Sequence, residues 1–220
     1  NLKPFPLARY IWHLRKKYVF EIRNTKGAFP MTKIEAKNKV IVYLKERNIH
    51  FHDFVSDGEG NIVLVLPGYY KCPDSTLECS IYFFKSCMEA RVYYTENASR
   101  WINDRPERLT DMYRLLNFIN ARVWPFTNDG IGGKLYLAHH LITPRFYITE
   151  DGHSDLTSTM VIDYDLFDMA PLEVCDTITA SIPSLMDALS TPLFFVLLDK
   201  MNVDNAISYI KSEILEEESL

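Results

Sequence analysis

The sequence predicts an α+β fold: an antiparallel β-sheet with helices packed on one face, in a helix-then-strands order that occurs twice. Three observations carry the prediction. Apolar and polar residues alternate in paired runs joined by short turns, the signature of antiparallel hairpins. Helical spacing appears in separate segments before, between and after the two groups of strands, and not between every pair of strands as a parallel sheet requires. The composition also permits a real core, since 220 residues that are 47% hydrophobic, 13% aromatic and 24% charged suit one ordinary globular domain.

The chain divides before Met31. Residues 1–30 hold seven Lys/Arg against Glu21 alone, a balance of +6, which leaves 17 basic and 28 acidic residues, or −11, for residues 31–220. Within the extension, "LARYIWHLRKKYVF" sets Leu7, Tyr10, Ile11, Leu14 and Tyr18 at helical spacing beside Arg9, Arg15, Lys16 and Lys17, which describes a short basic amphipathic helix. Three readings fit it: packing on the acidic body, contact with an anionic surface such as membrane or RNA, or a segment foreign to the natural protein. The third follows from back-translation, because "KGAFPM" admits AAA GGA GCN, a ribosome-binding sequence, before an ATG for Met31. A native peptide map that begins upstream of Met31 would reject it.

Residues 31–220 read as a single α+β domain. "MTKIEAKNKVIVYLKERN" opens with Thr32 and Glu35 at capping-box spacing. Ile34, Val40, Ile41 and Leu44 supply the apolar stripe of this first helix, which ends near Asn48. "HFHDFVSDGEGNIVLVLPGYY" predicts two strands about Asp57–Gly60, and "ECSIYFFKSCMEARVYYTE" two more about Lys85–Cys87, making a four-strand meander. A second helix follows, with Leu109, Met112, Leu115, Leu116 and Ile119 on one face. "KLYLAHHL", "RFYITE" and "STMVIDYDLF" predict three further strands. Helices at 171–189, 192–199 and 203–216 close the chain, with Pro192 separating the first two.

Strand alternation assigns the faces of the sheet. Arg91 and Tyr93 fall opposite Val92 and Tyr94, and Arg145 and Tyr147 opposite Phe146 and Ile148, because successive side chains on a strand point to opposite sides. One face is therefore expected to be covered by helices and the other amphipathic and wetter.

Composition also bounds function. The acidic body disfavours nucleic-acid binding, which needs a basic surface for phosphate contacts, and no run approaches the roughly 18 consecutive apolar residues of a membrane span. Cys72, Cys79, Cys87 and Cys175 in a chain of this length, without a signal-peptide pattern, suggest reduced thiols and a cytoplasmic, soluble protein.

"GIGGKLYLAHH", residues 130–140, invites comparison with a phosphate loop and departs from it three times. Asn128 stands where the first glycine belongs, Leu135 follows Lys134 where Ser or Thr is needed, and strand-like sequence follows where a helix should begin. The glycines read instead as a turn. His139 and His140, adjacent on a strand, would point to opposite faces and serve neither one metal nor one catalytic pair. His50 and His52 are spaced for one strand face, and imidazole is a common zinc ligand, but six and seven residues separate the successive cysteines from Cys72 to Cys87, with no Cys-x-x-Cys. Asp163 and Asp165, expected to share a strand face, and Asp168 suggest carboxylate catalysis or a cation site, and a solvated face of an acidic protein explains them equally well; the calcium-loop pattern is absent. Nucleophile-elbow, His-Glu-x-x-His and dinucleotide glycine motifs are absent too. No catalytic, cofactor-binding or metal residue is therefore assigned.

"LLNFINARV", then "GKLYLAHHL", "MVIDYDLF" and the helix from "PLEVCDTITASIPSLMDAL" resemble the second half of the YbjN family, whose fold is similar to type III secretion chaperones. The ending "LLDKMNVDNAISYIKSEI" is similar to that family's helix, break and final helix, while "HHLITPRF" departs from its usual strand-to-turn sequence. The resemblance extends over about residues 31–215 as a pattern of elements. It implies a cytoplasmic homodimer that binds another polypeptide as a noncatalytic, chaperone-like or regulatory module, with no cofactor.

Read from the residues alone, edge strands would offer main-chain hydrogen bonds to an added peptide strand, and aromatic and arginine side chains on the amphipathic face would anchor it. Tyr82, Arg91, Tyr93, Arg145 and Tyr147 are the candidates; coating a solvated sheet or a dimer contact is the alternative role for them. The competing function is a small-molecule-binding or metal-dependent hydrolytic enzyme built around His50 and His52, which predicts a concave site with converging side chains.

Overall fold

A computed structural model describes residues 31–54, 60–123, 126–128, 134–136 and 142–216; Thr32–Leu220 forms one compact unit. The proposed basic helix, residues 57–59 of the first turn, the glycine turn at 130–133 and His139 and His140 lie outside the described residues.

Helix α1 (Lys33–Glu46) starts at the capping box. The Thr32 hydroxyl accepts the Glu35 amide at 3.3 Å and the Glu35 carboxylate accepts the Thr32 amide at 2.8 Å, satisfying donors that a first turn leaves open. Its buried face is Ala36, Val40, Tyr43 and Leu44. Ile34, expected in the stripe, is 66% exposed: the buried face is turned so that Ala36 and Tyr43 meet the core instead.

Strands β1 (Phe51–Phe54), β2 (Asn61–Pro67), β3 (Thr76–Phe83) and β4 (Cys87–Tyr94) form the expected antiparallel meander. Helices α2 (Glu96–Asn103) and α3 (Leu109–Arg122) follow. Met112, Leu115, Leu116 and Ile119 are buried as the apolar stripe predicts. Strands β5 (Phe126–Asn128) and β6 (Lys134–Tyr136) pair with each other in a two-stranded ribbon, so among the described residues the second group gives two strands to the main sheet instead of three. These are β7 (Arg145–Ile148) and β8 (Leu156–Asp163), which extend it in the order β1-β2-β3-β4-β8-β7. Every pairing in this six-stranded sheet is antiparallel, and the two helix-then-strands groups share it through β4 and β8.

Two further expectations are corrected. The last predicted strand stops at Asp163, whose carboxylate accepts the Asp165 amide at 2.8 Å and caps α4 (Tyr164–Met169); Asp163 and Asp165 therefore do not share a strand face. Pro192 does not divide two helices either. Helix α5 runs from Pro171 to Leu197, with a π-helical stretch at Thr177–Ser181 and Pro192 buried inside it. An interior proline costs about 3 kcal/mol, but Leu185, Met186, Leu189, Leu193 and Val196 are all buried along this helix. At roughly 1.5–3 kcal/mol for each large apolar side chain, their burial outweighs the proline. Helix α6 (Val203–Tyr209), capped by the Asn202 side chain on the Asn205 amide at 2.8 Å, runs on through Ile210–Ile214.

The core lies between the sheet and the helices. Leu64, Cys79, Ala90, Val92 and Ile162 from the covered face are completely buried, as are Ile178, Ile182 and Leu189 of α5. Tyr94 fastens the two layers: its hydroxyl donates to the Met186 carbonyl at 2.7 Å and its ring meets Phe194 edge-on at 4.9 Å.

Candidate functional site

Antiparallel register places the residues of the open face in cross-strand rows. One row runs His52, Val63, Ser80, Arg91, Thr159, Arg145 from edge to edge. Beside it lie Val65, Glu78, Tyr93, Thr157 and Tyr147, and on the other side Tyr82, Glu89 and Val161. Tyr82, Arg91, Tyr93, Arg145 and Tyr147 therefore occupy one face, on three adjoining rows. Their strand neighbours Ile81, Val92, Tyr94, Phe146 and Ile148 are buried on the other.

The side chains on this face hold one another down. The Arg91 guanidinium pairs with the Glu89 carboxylate and lies over the Tyr82 ring, 5.2 Å from its centre. Burial alone would lower the Arg91 pKa, but the Glu89 hydrogen bond and charge outweigh it and hold the group above its ordinary value. The Tyr93 hydroxyl meets Ser80 Oγ at 3.1 Å, and the Tyr147 hydroxyl meets Thr159 Oγ1 at 3.0 Å. Burial raises the Tyr93 pKa against the opposing effect of Ser80, so the phenol stays neutral at physiological pH. Both tyrosines thus reach back to the sheet instead of standing free, and Ser80 and Thr157 are only 5% and 2% exposed although they belong to the open face. Arg145 differs: among the described residues its guanidinium has no ion pair or hydrogen bond, and the residue is exposed.

Several members of this surface escaped the sequence reading. Glu89 and Glu78 stand beside the candidates, and Val65 and Val161 are exposed among them. In "NIVLVLP" the two faces are equally apolar, so period-two alternation is invisible there. Only the register with β3 shows that Ile62, Leu64 and Leu66 point inward and Val63 and Val65 outward.

Groups that could carry chemistry are dispersed. His50 and His52 are exposed, His50 just before β1 and His52 on its open side. Among the described residues no three His, Cys, Asp or Glu side chains converge as a metal site. All four cysteines are free thiols. Burial pushes Cys72 and Cys175 up to about 12 and raises Cys79 further, so these thiols stay protonated at neutral pH. Cys72 Sγ lies 3.3 Å from Ser190 Oγ and 3.6 Å from Asp187 Oδ1, within a polar cluster that includes the Tyr94 hydroxyl. Asp168 pairs with Lys39 at 2.7 Å, a different task from the cap at Asp163. An open polar cleft of 490 Å³ adjoins the sheet face where Glu78 and Tyr93 line both, and reaches Arg100 and His153. In it Ser99 Oγ donates to Asp155 at 2.6 Å, while the bonds made by His153 are through its backbone.

Helix α5 is long and apolar enough to cross a membrane by composition, yet 67% of its apolar window is buried inside the protein. It is the central core helix of this fold.

Fold and surface together define an α+β protein whose antiparallel sheet is covered by helices on one side and displays tyrosine and arginine on the other. No family model matches the chain, and neither the curated proteins nor the solved structures contain a significant match; none of these comparisons identifies it with the YbjN family.

Proposed function

We propose that this chain is a noncatalytic protein-binding module, chaperone-like or regulatory, that works as a cytoplasmic homodimer and engages a partner polypeptide through the open face of its sheet. The observation that carries the reading is the gathering of Tyr82, Arg91, Tyr93, Arg145 and Tyr147 on one face. Tyrosine and arginine are the residues that most often anchor protein interfaces. Here four of the five are already held by neighbours, which lowers the ordering cost of binding. The resemblance to the YbjN family supplies the chaperone-like role and the dimer.

Strand addition, the other binding mode open to such a sheet, meets different conditions at the two edges. At β7 the outward backbone groups of Phe146 are taken by the Asn120 side chain. At β1 the outer edge of Phe51–Phe54 makes no hydrogen bond among the described residues.

The test compares wild type with Arg145→Glu and Tyr147→Ala in affinity capture from native lysate, followed by sedimentation of the purified proteins. A captured polypeptide lost by both variants supports the reading. Capture that both variants leave unchanged, or no capture by wild type, would sink it.

A further inference from the structure

We propose that Glu78 and Tyr93 receive an arginine side chain of the partner polypeptide; the inference rests on the reading of the open sheet face as the surface that polypeptide meets. Strands β3 and β4 carry the same carboxylate–tyrosine pairing twice. Glu89 stands directly across from Tyr82, Glu78 stands directly across from Tyr93, and Ser80 and Arg91 face each other midway between the two pairs. Directly opposed residues on one face of a sheet are close enough to hold a single ligand group together. The first pair shows which group that is. The Arg91 guanidinium pairs with the Glu89 carboxylate and lies over the Tyr82 ring, 5.2 Å from its centre. A guanidinium suits both members at once, because its edge donates to a carboxylate while its planar face stacks on an aromatic ring.

At the second pair Glu78 is half-buried, as Glu89 is, yet among the described residues it makes no ion pair or hydrogen bond. A carboxylate held partly out of water without a cation beside it is costly, and an incoming guanidinium removes that cost. Its neighbour is ordered in advance, since the Tyr93 hydroxyl meets Ser80 Oγ at 3.1 Å. Access comes through the 490 Å³ cleft that Glu78 and Tyr93 border. The cleft lining sets Glu78, Glu96 and Asp155 against Arg100, and Arg100 is already answered by Glu96 at 3.5 Å. It therefore favours a cation over an anion. Its walls are tied together: Ser99 Oγ donates to Asp155 at 2.6 Å, and Ser154 Oγ donates to the Asn103 side chain at 2.6 Å. A peptide crossing the sheet face can lay the alkyl stem of an arginine along this cleft with its head at Glu78.

The probe is a fluorescent peptide of serine, threonine and valine with one central arginine, about nine residues long so that it crosses the sheet when extended. The full chain is titrated into it with anisotropy as the readout. Expected are saturable binding that weakens as salt rises and a loss on the order of ten-fold when neutral citrulline replaces the arginine or when the chain carries Glu78→Gln. Glu107→Gln, an exposed position outside the cleft, should change nothing, and Glu78→Arg should prefer a peptide whose arginine is replaced by glutamate. The citrulline comparison uses the wild-type chain, so it decides the matter even if a variant does not fold. Absence of saturable binding, equal binding of the arginine and citrulline peptides, or binding indifferent to Glu78→Gln would overturn the proposal. So would N-acetylarginine amide binding as tightly as the peptide, which would make this a site for a free small cation. A dimer that Glu78→Gln dissociates would overturn it too, by assigning the site to an arginine of a second copy. Capture of a polypeptide from lysate that Glu78→Gln leaves unchanged would sink this inference alone and leave the wider reading of the face intact. Failure of capture alongside arginine-dependent peptide binding would do the reverse.

Discussion

The side-chain amide of Asn120 bonds both backbone groups of Phe146, accepting its N–H at 2.8 Å and donating to its carbonyl at 2.8 Å. A side chain of α3 thereby stands in for a neighbouring strand at the outer edge of β7, closing part of an edge that would otherwise invite pairing with another chain. Asn120→Ala should lower stability by about 1–2 kcal/mol, the cost of removing partners from two partly buried backbone groups. Asn120→Asp, which keeps the acceptor and loses the donor, should fall between. Urea midpoints of the three proteins check the order; coincident midpoints would mean that water replaces the amide at no cost.

Ser158 presents the opposite case. Its hydroxyl is completely buried and finds no hydrogen-bond partner among the described residues. It lies on the covered face of β8, paired with Val92 on one side and Phe146 on the other. A buried hydroxyl without a partner carries its desolvation cost uncompensated, so Ser158→Ala should raise stability by about 1 kcal/mol. Thermal unfolding measures the sign, and a clear loss would show that the hydroxyl is bonded in solution.

Alkaline pH should destabilise the fold through groups that burial keeps protonated. Cys72 and Cys175 rise from an ordinary 9 to about 12. Tyr164 rises from 10 to about 12 through burial, and Tyr43 does so through burial and then its hydrogen bond to Asp176. Unfolded chains release these protons near pH 9 to 10 and the native protein holds them to about 12. Their contribution is therefore complete below pH 9 and is lost as pH rises through 12. Urea unfolding on either side of pH 9 should show the decline, and Cys72→Ala should make it shallower. In native protein, iodoacetamide should reach half-buried Cys87 before Cys72, Cys79 or Cys175.

Local rules sufficed wherever the determining contacts are local. The Thr32–Glu35 box, the meander, the α3 stripe and the alternation on β4 and β7 all follow from residues within a few positions of one another. Helix α2 was invisible because its start is organised from a distance: the Asp74 carboxylate accepts from the Thr95 hydroxyl at 2.5 Å and from the Asn97 side-chain Nδ2 at 2.6 Å. The continuity of α5 through Pro192 depends on burial that only the assembled core provides. The five candidates on the sheet could be grouped because alternation fixes which side each occupies. Their order in rows required the pairing of β4 with β8, strands more than sixty residues apart.

Tyr94 and Ser190 offer a test of how the two layers are joined. Both hydroxyls reach the Met186 carbonyl, Tyr94 at 2.7 Å and Ser190 at 2.8 Å, and they lie 3.3 Å from each other. Removing either one leaves the carbonyl with the other donor, so Tyr94→Phe and Ser190→Ala should each cost only about 1 kcal/mol. Removing both strips the carbonyl of its side-chain donors and leaves Cys72 Sγ without its neighbour at position 190. The double variant should then lose more than the sum of the single losses, by at least about 0.5 kcal/mol. Tyr94→Ala should cost roughly 3–5 kcal/mol by adding a cavity beneath Phe194, whose ring also stacks edge-on against Trp101 at 5.6 Å. A double-variant cycle in urea reads these terms directly, and strict additivity would mean that the two hydroxyls act on the carbonyl independently.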